Sequence, residues 1–285
     1  MTSNTQTAIQ PELTIPTFAE IGLHPALLQA VSDTGYTTPT PIQAQALPSV
    51  MAGNDVMGAA QTGTGKTAAF TLPILHRLMQ HANSSASPAR HPVRALILTP
   101  TRELADQVAE SVKRYGKQTT LRSAVVFGGV DIGPQKEALR NGCEVLIATP
   151  GRLLDHVEQR NVNLGQVGIL VLDEADRMLD MGFLPDLERI IRLLPAQRQT
   201  LLFSATFSNE IRKLGRTYLN SPVEIEVAKR NATADTVTQI AYAMSGEAKR
   251  AAVVHLVKSR GLKQVIVFSN TKIGTGRLAR QLELD

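Results

Sequence analysis

Short apolar runs alternate with longer segments of helical periodicity along most of the chain. Each run is followed by a polar turn and a helix-like stretch. Runs that are apolar at nearly every position are typical of strands buried on both faces, as in a parallel sheet covered by helices. The pattern therefore predicts a doubly wound, parallel-sheet α/β domain. The runs are Val56-Met57-Gly58-Ala59, Ala95-Leu96-Ile97-Leu98, Val145-Leu146-Ile147, Ile169-Leu170-Val171-Leu172 and Leu201-Leu202-Phe203.

Helical spacing is clearest after the second of these runs. Leu104, Val108, Val112 and Tyr115 follow one another at intervals of four, four and three residues, which places them on one face of a helix. A further helical stretch is predicted over residues 66–80, directly after a glycine-rich turn.

The chain is predicted to contain one complete domain and part of a second. Residues 1–16 are rich in Thr, Gln and Asn without periodicity, and we expect a flexible tail. The first domain spans 17–227, and residues 228–237, where the apolar pattern stops, are predicted to be a linker. Residues 238–285 predict a helix near 249–258, a strand at 265–268 and a final helix, a piece too short to bury a core well.

Composition is that of an ordinary globular protein. Apolar residues make up 43% and charged residues 19%, and the net charge of +5 fits a polyanionic partner without requiring one. Aromatic residues make up only 4%, too few for stacking to dominate contacts with nucleic acid. No stretch is long and apolar enough to span a membrane, and the N-terminus lacks a signal pattern, so we expect a cytoplasmic protein.

Cysteine and histidine offer no metal-binding pattern. The single cysteine, Cys143, excludes an internal disulfide and a Cys-based zinc site, and its place before an apolar run predicts a small buried residue. The six histidines lack the spacing of metal ligands, and we expect all of them on the surface or in helices: His24, His76, His81, His91, His156 and His255.

The segment Gly63-Thr64-Gly65-Lys66-Thr67 lies between the first apolar run and a predicted helix. A glycine-rich turn at a helix start can wrap backbone N–H groups around phosphates, with the helix dipole adding positive potential. Lys66 would then reach the β- and γ-phosphates, and Thr67 would bind Mg²⁺. The strict pattern has Gly at position 60, where this chain has Ala60. A merely flexible turn is the alternative, but the preceding strand and the Lys-Thr pair favour a phosphate loop.

Acidic residues follow another apolar run as Asp173-Glu174-Ala175-Asp176. A carboxylate at the end of a buried strand beside a phosphate loop is where such enzymes hold Mg²⁺, and Glu174 could polarise the attacking water. Acids after a strand are also common helix N-caps, which is the alternative role.

Together these segments resemble the motifs of DEAD-box ATP-dependent RNA helicases, over residues 18–227 and into the second domain, and look closest to the bacterial RhlE branch. The family accepts Ala at position 60. The remaining motifs occur in the family's order: Gly35-Tyr36-Thr37-Thr38-Pro39-Thr40-Pro41-Ile42-Gln43, Pro100-Thr101-Arg102-Glu103-Leu104, Gly128-Gly129, Thr149-Pro150-Gly151-Arg152, Ser204-Ala205-Thr206 and Val267-Phe268-Ser269-Asn270.

The resemblance implies a RecA-like P-loop fold, ATP and Mg²⁺ as cofactors, and catalytic roles for Lys66, Asp173 and Glu174. Thr67 and Asp173 would hold Mg²⁺, Asp173 either directly or through water. Gln43 would read adenine by a bidentate contact. Phe18 would stack on the base, although a role as a core anchor is equally open. The implied ATP-binding residues are Phe18, Gln43, Ala60, Gln61, Thr62, Gly63, Thr64, Gly65, Lys66 and Thr67.

The resemblance also implies RNA as the partner, bound through its backbone with little sequence specificity, and proteins of ribosome assembly or RNA decay as candidate protein partners. Hydroxyls, backbone amides and guanidiniums hold phosphates and sugars without reading bases. Outside the family context, Arg102 and Arg152 would be surface residues in salt bridges. Thr206 would be a simple hydroxyl at the end of a strand. The implied RNA-binding residues are Pro100, Thr101, Arg102, Gly129, Thr149, Gly151 and Arg152, and the implied interdomain coupling residues are Asp176, Ser204 and Thr206.

Family members carry an Ala-Arg-Gly-Asp-like motif and an arginine-rich motif in the second domain, whereas the 285 residues end before either. We therefore expect a chain truncated within an incomplete second RecA-like domain. The primary hypothesis is an ATP-dependent RNA helicase that couples ATP hydrolysis to local duplex unwinding. The alternative is a nucleotide- and RNA-binding module with negligible hydrolysis, because an arginine finger is worth roughly 10³–10⁵ in rate. A relative acting on DNA is disfavoured by the Gln43 and Asp-Glu-Ala-Asp motifs.

Overall fold

The computed structural model describes residues 16–227, 238 and 240–283. The chain separates into two compact units, residues 1–231 and 232–285. The dividing point falls in the predicted linker at 228–237. That linker, and all but the last residue of the predicted tail, lie outside the described residues, so both stay predictions.

Seven strands of the first unit form one sheet in which every described pair is parallel. The predicted doubly wound α/β fold is therefore confirmed. The apolar runs predicted five of the seven strands. They missed the third, in which alternate residues are only half-buried, and the seventh, in which only Ile225 is buried. The strands are β1 Val56–Ala59, β2 Ala95–Leu98, β3 Ser123–Val126, β4 Val145–Ala148, β5 Ile169–Leu172, β6 Gln199–Ser204 and β7 Val223–Glu226.

Helices cover both faces of the sheet because successive strand residues point to opposite sides. Ala95 and Ile97 of β2 join one apolar cluster, while Leu96 and Leu98 join the other. The first cluster includes side chains of α1 to α4 and the second those of α5 to α9. The helices of this unit are α1 Pro25–Asp33, α2 Pro41–Met51, α3 Lys66–Leu78, α4 Arg102–Gly116, α5 Gly133–Arg140, α6 Pro150–Glu158, α7 Ala175–Asp180, α8 Leu184–Arg192 and α9 Asn209–Tyr218, with 3₁₀ turns at Met79–His81 and Pro88–Arg90.

The predicted apolar face of α4 packs into the first cluster. Val108, Val112 and Tyr115 are buried, and Ala105 and Ala109 join them on the same face. The predicted face is thus confirmed, with Leu104 at its margin and only half-buried.

Strand order places the predicted motifs along one edge of the sheet. The order is β3-β4-β2-β5-β6-β1-β7, and the carboxyl ends of parallel strands share an edge. The phosphate loop, the acidic motif and the Ser-Ala-Thr segment come at the carboxyl ends of β1, β5 and β6, which are neighbours. The predicted RNA-binding segments follow β2, β3 and β4, the other neighbouring group.

The second unit contains α10 Ala248–Ser259 and α11 Lys272–Leu282, as predicted. The predicted strand at 265–268 is wrong, since these residues belong to no strand, and Ile266 and Phe268 are 81% and 91% exposed. A strand is stable only beside hydrogen-bonded neighbours, and no strand occurs among residues 238 and 240–283. None of these described residues is buried.

Candidate functional site

The phosphate loop is an exposed turn that ends in a buried lysine. Gly63 and Gly65 have left-handed backbones, with φ of +85° and +95°. A Cβ at Gly65 would also lie 2.3 Å from the Gln43 amide nitrogen, so glycine is required there for two reasons. Lys66, the first residue of α3, is 6% exposed although residues 61–63 are open to solvent. The loop thus offers backbone N–H groups and one buried cation to a ligand.

Ala60 occupies a position that does not need glycine. Its side chain is fully buried within the first apolar cluster. Its N–H donates to the Ser204 carbonyl at 3.1 Å, which continues the pairing of β1 with β6. The departure from the strict phosphate-loop pattern is therefore explained by core packing.

Lys66 pairs with the second acid of the Asp-Glu-Ala-Asp segment. Lys66 Nζ lies 2.8 Å from Glu174 Oε1, and the side chains are only 6% and 14% exposed. Glu174 precedes α7 with a left-handed backbone, φ +52° and ψ +50°, and its side chain makes no capping hydrogen bond. Such a conformation is costly for a non-glycine residue and is concentrated at functional sites. The Glu174 carboxylate pairs with Lys66 of the phosphate loop, so it does not cap the N-terminus of α7.

Asp173 is buried beside this ion pair. Burial, and then the adjacent charge of Glu174, raise the pKa of Asp173 to about 7, against the opposing attraction of Lys66. Its Oδ1 atom is buried and has no hydrogen-bond partner among the described residues. A buried carboxylate oxygen left unpaired fits a hard cation, bound directly or through water. Thr67, the second residue of α3, carries a hydroxyl on the connection that follows β1, at the same edge of the sheet.

The acidic segment is joined directly to the Ser-Ala-Thr segment. Asp176 Oδ2 accepts a hydrogen bond from the Ala205 backbone N–H at 3.1 Å. Ser204 is fully buried, and its Oγ accepts from the Thr206 N–H at 3.4 Å. The three predicted coupling residues therefore lie together, between the acidic motif and the end of β6.

Gln43 is buried and has both ends of its amide occupied. Gln43 Oε1 accepts from the Thr40 N–H at 3.0 Å, and Nε2 donates to the Gly65 carbonyl at 3.1 Å. The first contact belongs to a capping box at the start of α2, and the spacing Thr40-Pro41-Ile42-Gln43 is its sequence signal. The second contact was not predicted, because it joins residues 22 positions apart. Gln43 is thus held against the phosphate loop.

Phe18 is 5% exposed and belongs to the first apolar cluster. This burial matches the core-anchor role, and stacking on a base stays a prediction.

Comparison with known proteins gives the same assignment as the geometry. The family model for DEAD/DEAH box helicases matches residues 40–214, which include the phosphate loop, the acidic motif and the Ser-Ala-Thr segment. The chain belongs to the DEAD/DEAH box helicase family.

Individual helicases of this family are similar over nearly the whole chain. The DEAD-box ATP-dependent RNA helicase RhpA of Helicobacter pylori (strain B128) is 41% identical over 257 residues, 90% of this chain and 50% of RhpA. RhlB of Xanthomonas axonopodis pv. citri is 44% identical over 274 residues, which are 95% of this chain and 48% of RhlB. DeaD of Mycobacterium tuberculosis is 42% identical over 273 residues, which are 95% of this chain and 47% of DeaD. The chain spans about half the length of the curated relatives it matches.

In this member of the DEAD/DEAH box helicase family, the predicted RNA-binding residues occupy helix starts and a glycine turn. Thr101 caps α4 by accepting from the Leu104 N–H at 3.4 Å, and Arg102 is exposed beside Glu103. Thr149 precedes α6, and Gly129 has φ of +80° with open space where a Cβ would lie. These helix starts present N–H groups toward the shared edge of the sheet, which suits phosphate binding.

Arg152 links two of the predicted RNA-binding segments. Its Nη2 donates to the Val130 carbonyl at 3.1 Å, and its Nε lies 3.4 Å from Asp155. Nε and Nη1 are buried without a hydrogen bond among the described residues, although the side chain is 11% exposed. Arg152 therefore positions the glycine turn and retains unused donors.

One histidine prediction is wrong. His91 is neither on the surface nor in a helix: it is fully buried, with Nδ1 2.6 Å from Glu144 Oε1 and Nε2 2.8 Å from the Ser85 carbonyl. The reason is a buried partner 53 residues away, which no local pattern shows. Cys143, next to Glu144, is buried as predicted, and burial raises its pKa to about 12.

Within the described ranges, no helix has the length and apolar character needed to cross a membrane.

Proposed function

We propose that this helicase chain belongs to an ATP-dependent RNA helicase, which binds ATP with Mg²⁺ and RNA through its backbone and couples ATP hydrolysis to local unwinding of RNA duplexes. The observation that carries the proposal is the convergence of Lys66, Asp173 and Glu174 at the shared carboxyl edge of β1 and β5, with Lys66 Nζ 2.8 Å from Glu174 Oε1. The names of the relatives support the same reading.

Binding of ATP would replace a protein contact at the phosphate loop. Glu174 pairs with Lys66 and neutralises its charge. A phosphate is a stronger partner for that cation, because it also receives the N–H groups of the loop and of the α3 start. Transfer of Lys66 to the phosphates would free the Glu174 carboxylate to accept a proton from the attacking water.

Mg²⁺ would be held by the Thr67 hydroxyl and by Asp173, the latter directly or through water. When bound, such a cation neutralises charge that develops on the phosphates. The unpaired Asp173 Oδ1 supports this assignment, since a nearby cation would stabilise the charged form that burial disfavours.

Adenine would compete with the protein for the amide of Gln43. The same oxygen and nitrogen that now contact Thr40 and Gly65 could accept from adenine N6 and donate to N7. We propose that base binding withdraws Gln43 Nε2 from the Gly65 carbonyl. The identity of the base would then change a hydrogen bond of the phosphate loop.

RNA would lie across the other half of the same edge. The segments after β2, β3 and β4 supply hydroxyls, an open glycine turn and two arginines, groups that contact the sugar-phosphate backbone. Selection of RNA over DNA would come from the 2′-hydroxyl and the A-form path. A cytoplasmic location and partners from ribosome assembly or RNA decay belong to the same proposal.

A second function is favoured for the 285 residues by themselves. The arginine motifs that family members use to complete the ATP site have no counterpart in this sequence. The chain alone would then bind nucleotide and RNA with negligible turnover.

One comparison separates the two functions. RNA-stimulated ATP hydrolysis is measured for the 285-residue chain and for a longer form that includes a complete second domain, with single-stranded DNA as a parallel stimulator. The proposal expects RNA to stimulate only the longer form and DNA to stimulate neither. Equal turnover with and without RNA in the longer form would contradict the helicase assignment, and RNA-stimulated turnover by the short chain would contradict the binding-module alternative.

A further inference from the structure

One side chain connects the residue after the Ser-Ala-Thr segment to the last strand of the first unit. Arg212 lies in the first turn of α9, and its guanidinium carbon is 5.1 Å from the centre of the Phe207 ring. Phe207 directly follows Thr206 and is 6% exposed. A guanidinium over an aromatic face is a favourable arrangement that fixes both groups.

The other side of the same guanidinium faces β7. Arg212 Nη1 lies 2.9 Å from Glu224 Oε2, and Nη2 lies 3.9 Å from Glu226 Oε2. Residues two apart on a strand point to the same face, so one planar group can hold both acids. β7 is at the edge of the sheet, and Val227 is the last described residue before the predicted linker.

Direct contacts lead from the proposed nucleotide site to Ser204 and Ala205, and the backbone continues from there through Thr206 to Phe207. The Ser204 carbonyl accepts from the Ala60 N–H of the phosphate loop, and Asp176 accepts from the Ala205 N–H. A change in the phosphate loop or in the acidic motif would therefore act on the first two residues of the Ser-Ala-Thr segment. Contacts in series carry coupling only if the element at the far end responds, which can be measured.

We propose that Arg212 is a positioning residue that transmits the nucleotide state of the Ser-Ala-Thr segment to β7, the strand at the edge of the sheet. This inference rests on the proposed nucleotide binding but not on hydrolysis. If Arg212 had a purely structural role, replacing it would have little effect, because partly exposed ion pairs contribute little to stability. Arg212 is 28% exposed, and its two acidic partners are 53% and 37% exposed.

A second route to β7 exists, through its hydrogen bonds to β1. The Val223 N–H donates to the Asp55 carbonyl at 2.8 Å and the Val227 N–H to the Ala59 carbonyl at 2.9 Å. This ladder is present whatever residue occupies position 212. Removing the Arg212 side chain therefore tells the two routes apart.

The test is hydrogen–deuterium exchange of the 285-residue chain with and without Mg²⁺ and a non-hydrolysable ATP analogue. Arg212→Ala, Arg212→Lys and the control Arg216→Ala are compared with the natural sequence; Arg216 is exposed on the same helix. Calorimetry on each protein measures nucleotide affinity separately. We expect nucleotide to slow exchange at residues 223–227 in the natural chain and in Arg216→Ala.

In Arg212→Ala the affinity should be unchanged and the slowing at 223–227 lost, while residues 60–67 still respond. Arg212→Lys should give an intermediate effect, because an ammonium can pair with one acid but cannot span both. Equal slowing in Arg212→Ala would overturn the inference in favour of the β1 route, as would no slowing in a natural chain that binds the analogue. If no protein binds the analogue, the calorimetry shows that the proposed function itself has failed.

Discussion

The ammonium of Lys66 lies 2.8 Å from the carboxylate of Glu174, so the cation of the phosphate loop and the candidate general base neutralise each other. Both side chains are largely shielded from water. Any phosphate that enters must compete with Glu174 for Lys66. The phosphate loop and the acidic motif are therefore joined by an internal ion pair.

Glu174→Gln should leave nucleotide binding intact or strengthen it, because the amide keeps the shape but no longer competes as an anion for Lys66. In a longer form with a complete second domain, the same change should reduce hydrolysis by roughly 10²–10⁴-fold, the usual contribution of a general base. Calorimetry and steady-state ATPase assays measure the two effects. Asp180→Asn, at the exposed end of α7, is the matched control. Normal hydrolysis by Glu174→Gln would remove the general-base assignment.

Asp173→Asn should weaken Mg²⁺-dependent nucleotide binding by on the order of 10–100-fold, as expected when an oxygen that orients a bound metal is lost. Without nucleotide it should not destabilise the fold, because burial already disfavours the charged carboxylate and holds its pKa near 7. Titration with and without Mg²⁺, beside thermal unfolding, checks both statements. An unaltered Mg²⁺ dependence would show that Asp173 does not face the metal.

Gln43→Ala should abolish the preference for ADP over GDP, since a bidentate contact to a base is worth about 1–3 kcal/mol of discrimination. Gln45→Ala should keep the preference, because Gln45 is exposed on the same helix. Paired calorimetric titrations give the ratio of affinities. Equal binding of ADP and GDP by the natural chain would refute the adenine-reading role before any variant is needed.

Limited proteolysis should leave a resistant core that ends near Val227, with faster cleavage beyond residue 237. None of the described residues at 238 and 240–283 is buried, and the apolar segment 265–268 belongs to no strand. Exposed backbone without protective packing is cut from low-energy open states. Mass measurement of the fragments locates the boundary. Equal resistance on both sides of the boundary would mean that the second unit has a core of its own.

The local sequence pattern predicted an element correctly where the burial of that element follows from its own residues. The strands β2, β4 and β5 are apolar throughout and buried, and the α4 face follows its spacing. Pattern failed where structure depends on distant partners. The run at 265–268 has strand-like composition but no neighbouring strand, and His91 is buried because Glu144 is buried beside it.

The candidate site divides in the same way. Motif order located the phosphate loop and the acids, and the sheet order shows why segments more than 100 residues apart can meet. The contact between Gln43 and Gly65 forms only when α2 packs beside the phosphate loop. The bridge from Arg212 to β7 forms only when α9 packs beside that strand. Neither has a periodicity that a sequence could reveal.

The most direct test of the whole account is calorimetric titration of Mg²⁺-ATP into the 285-residue chain and into Lys66→Ala, with Lys213→Ala as a control at an exposed lysine. The account predicts one site in the natural chain, the same affinity in Lys213→Ala, and a loss of at least about tenfold in Lys66→Ala, since a hydrogen bond to a charged group is worth roughly 1.5–3 kcal/mol. Binding of equal strength in Lys66→Ala would contradict the central claim that the carboxyl edge of β1 and β5 is the ATP site.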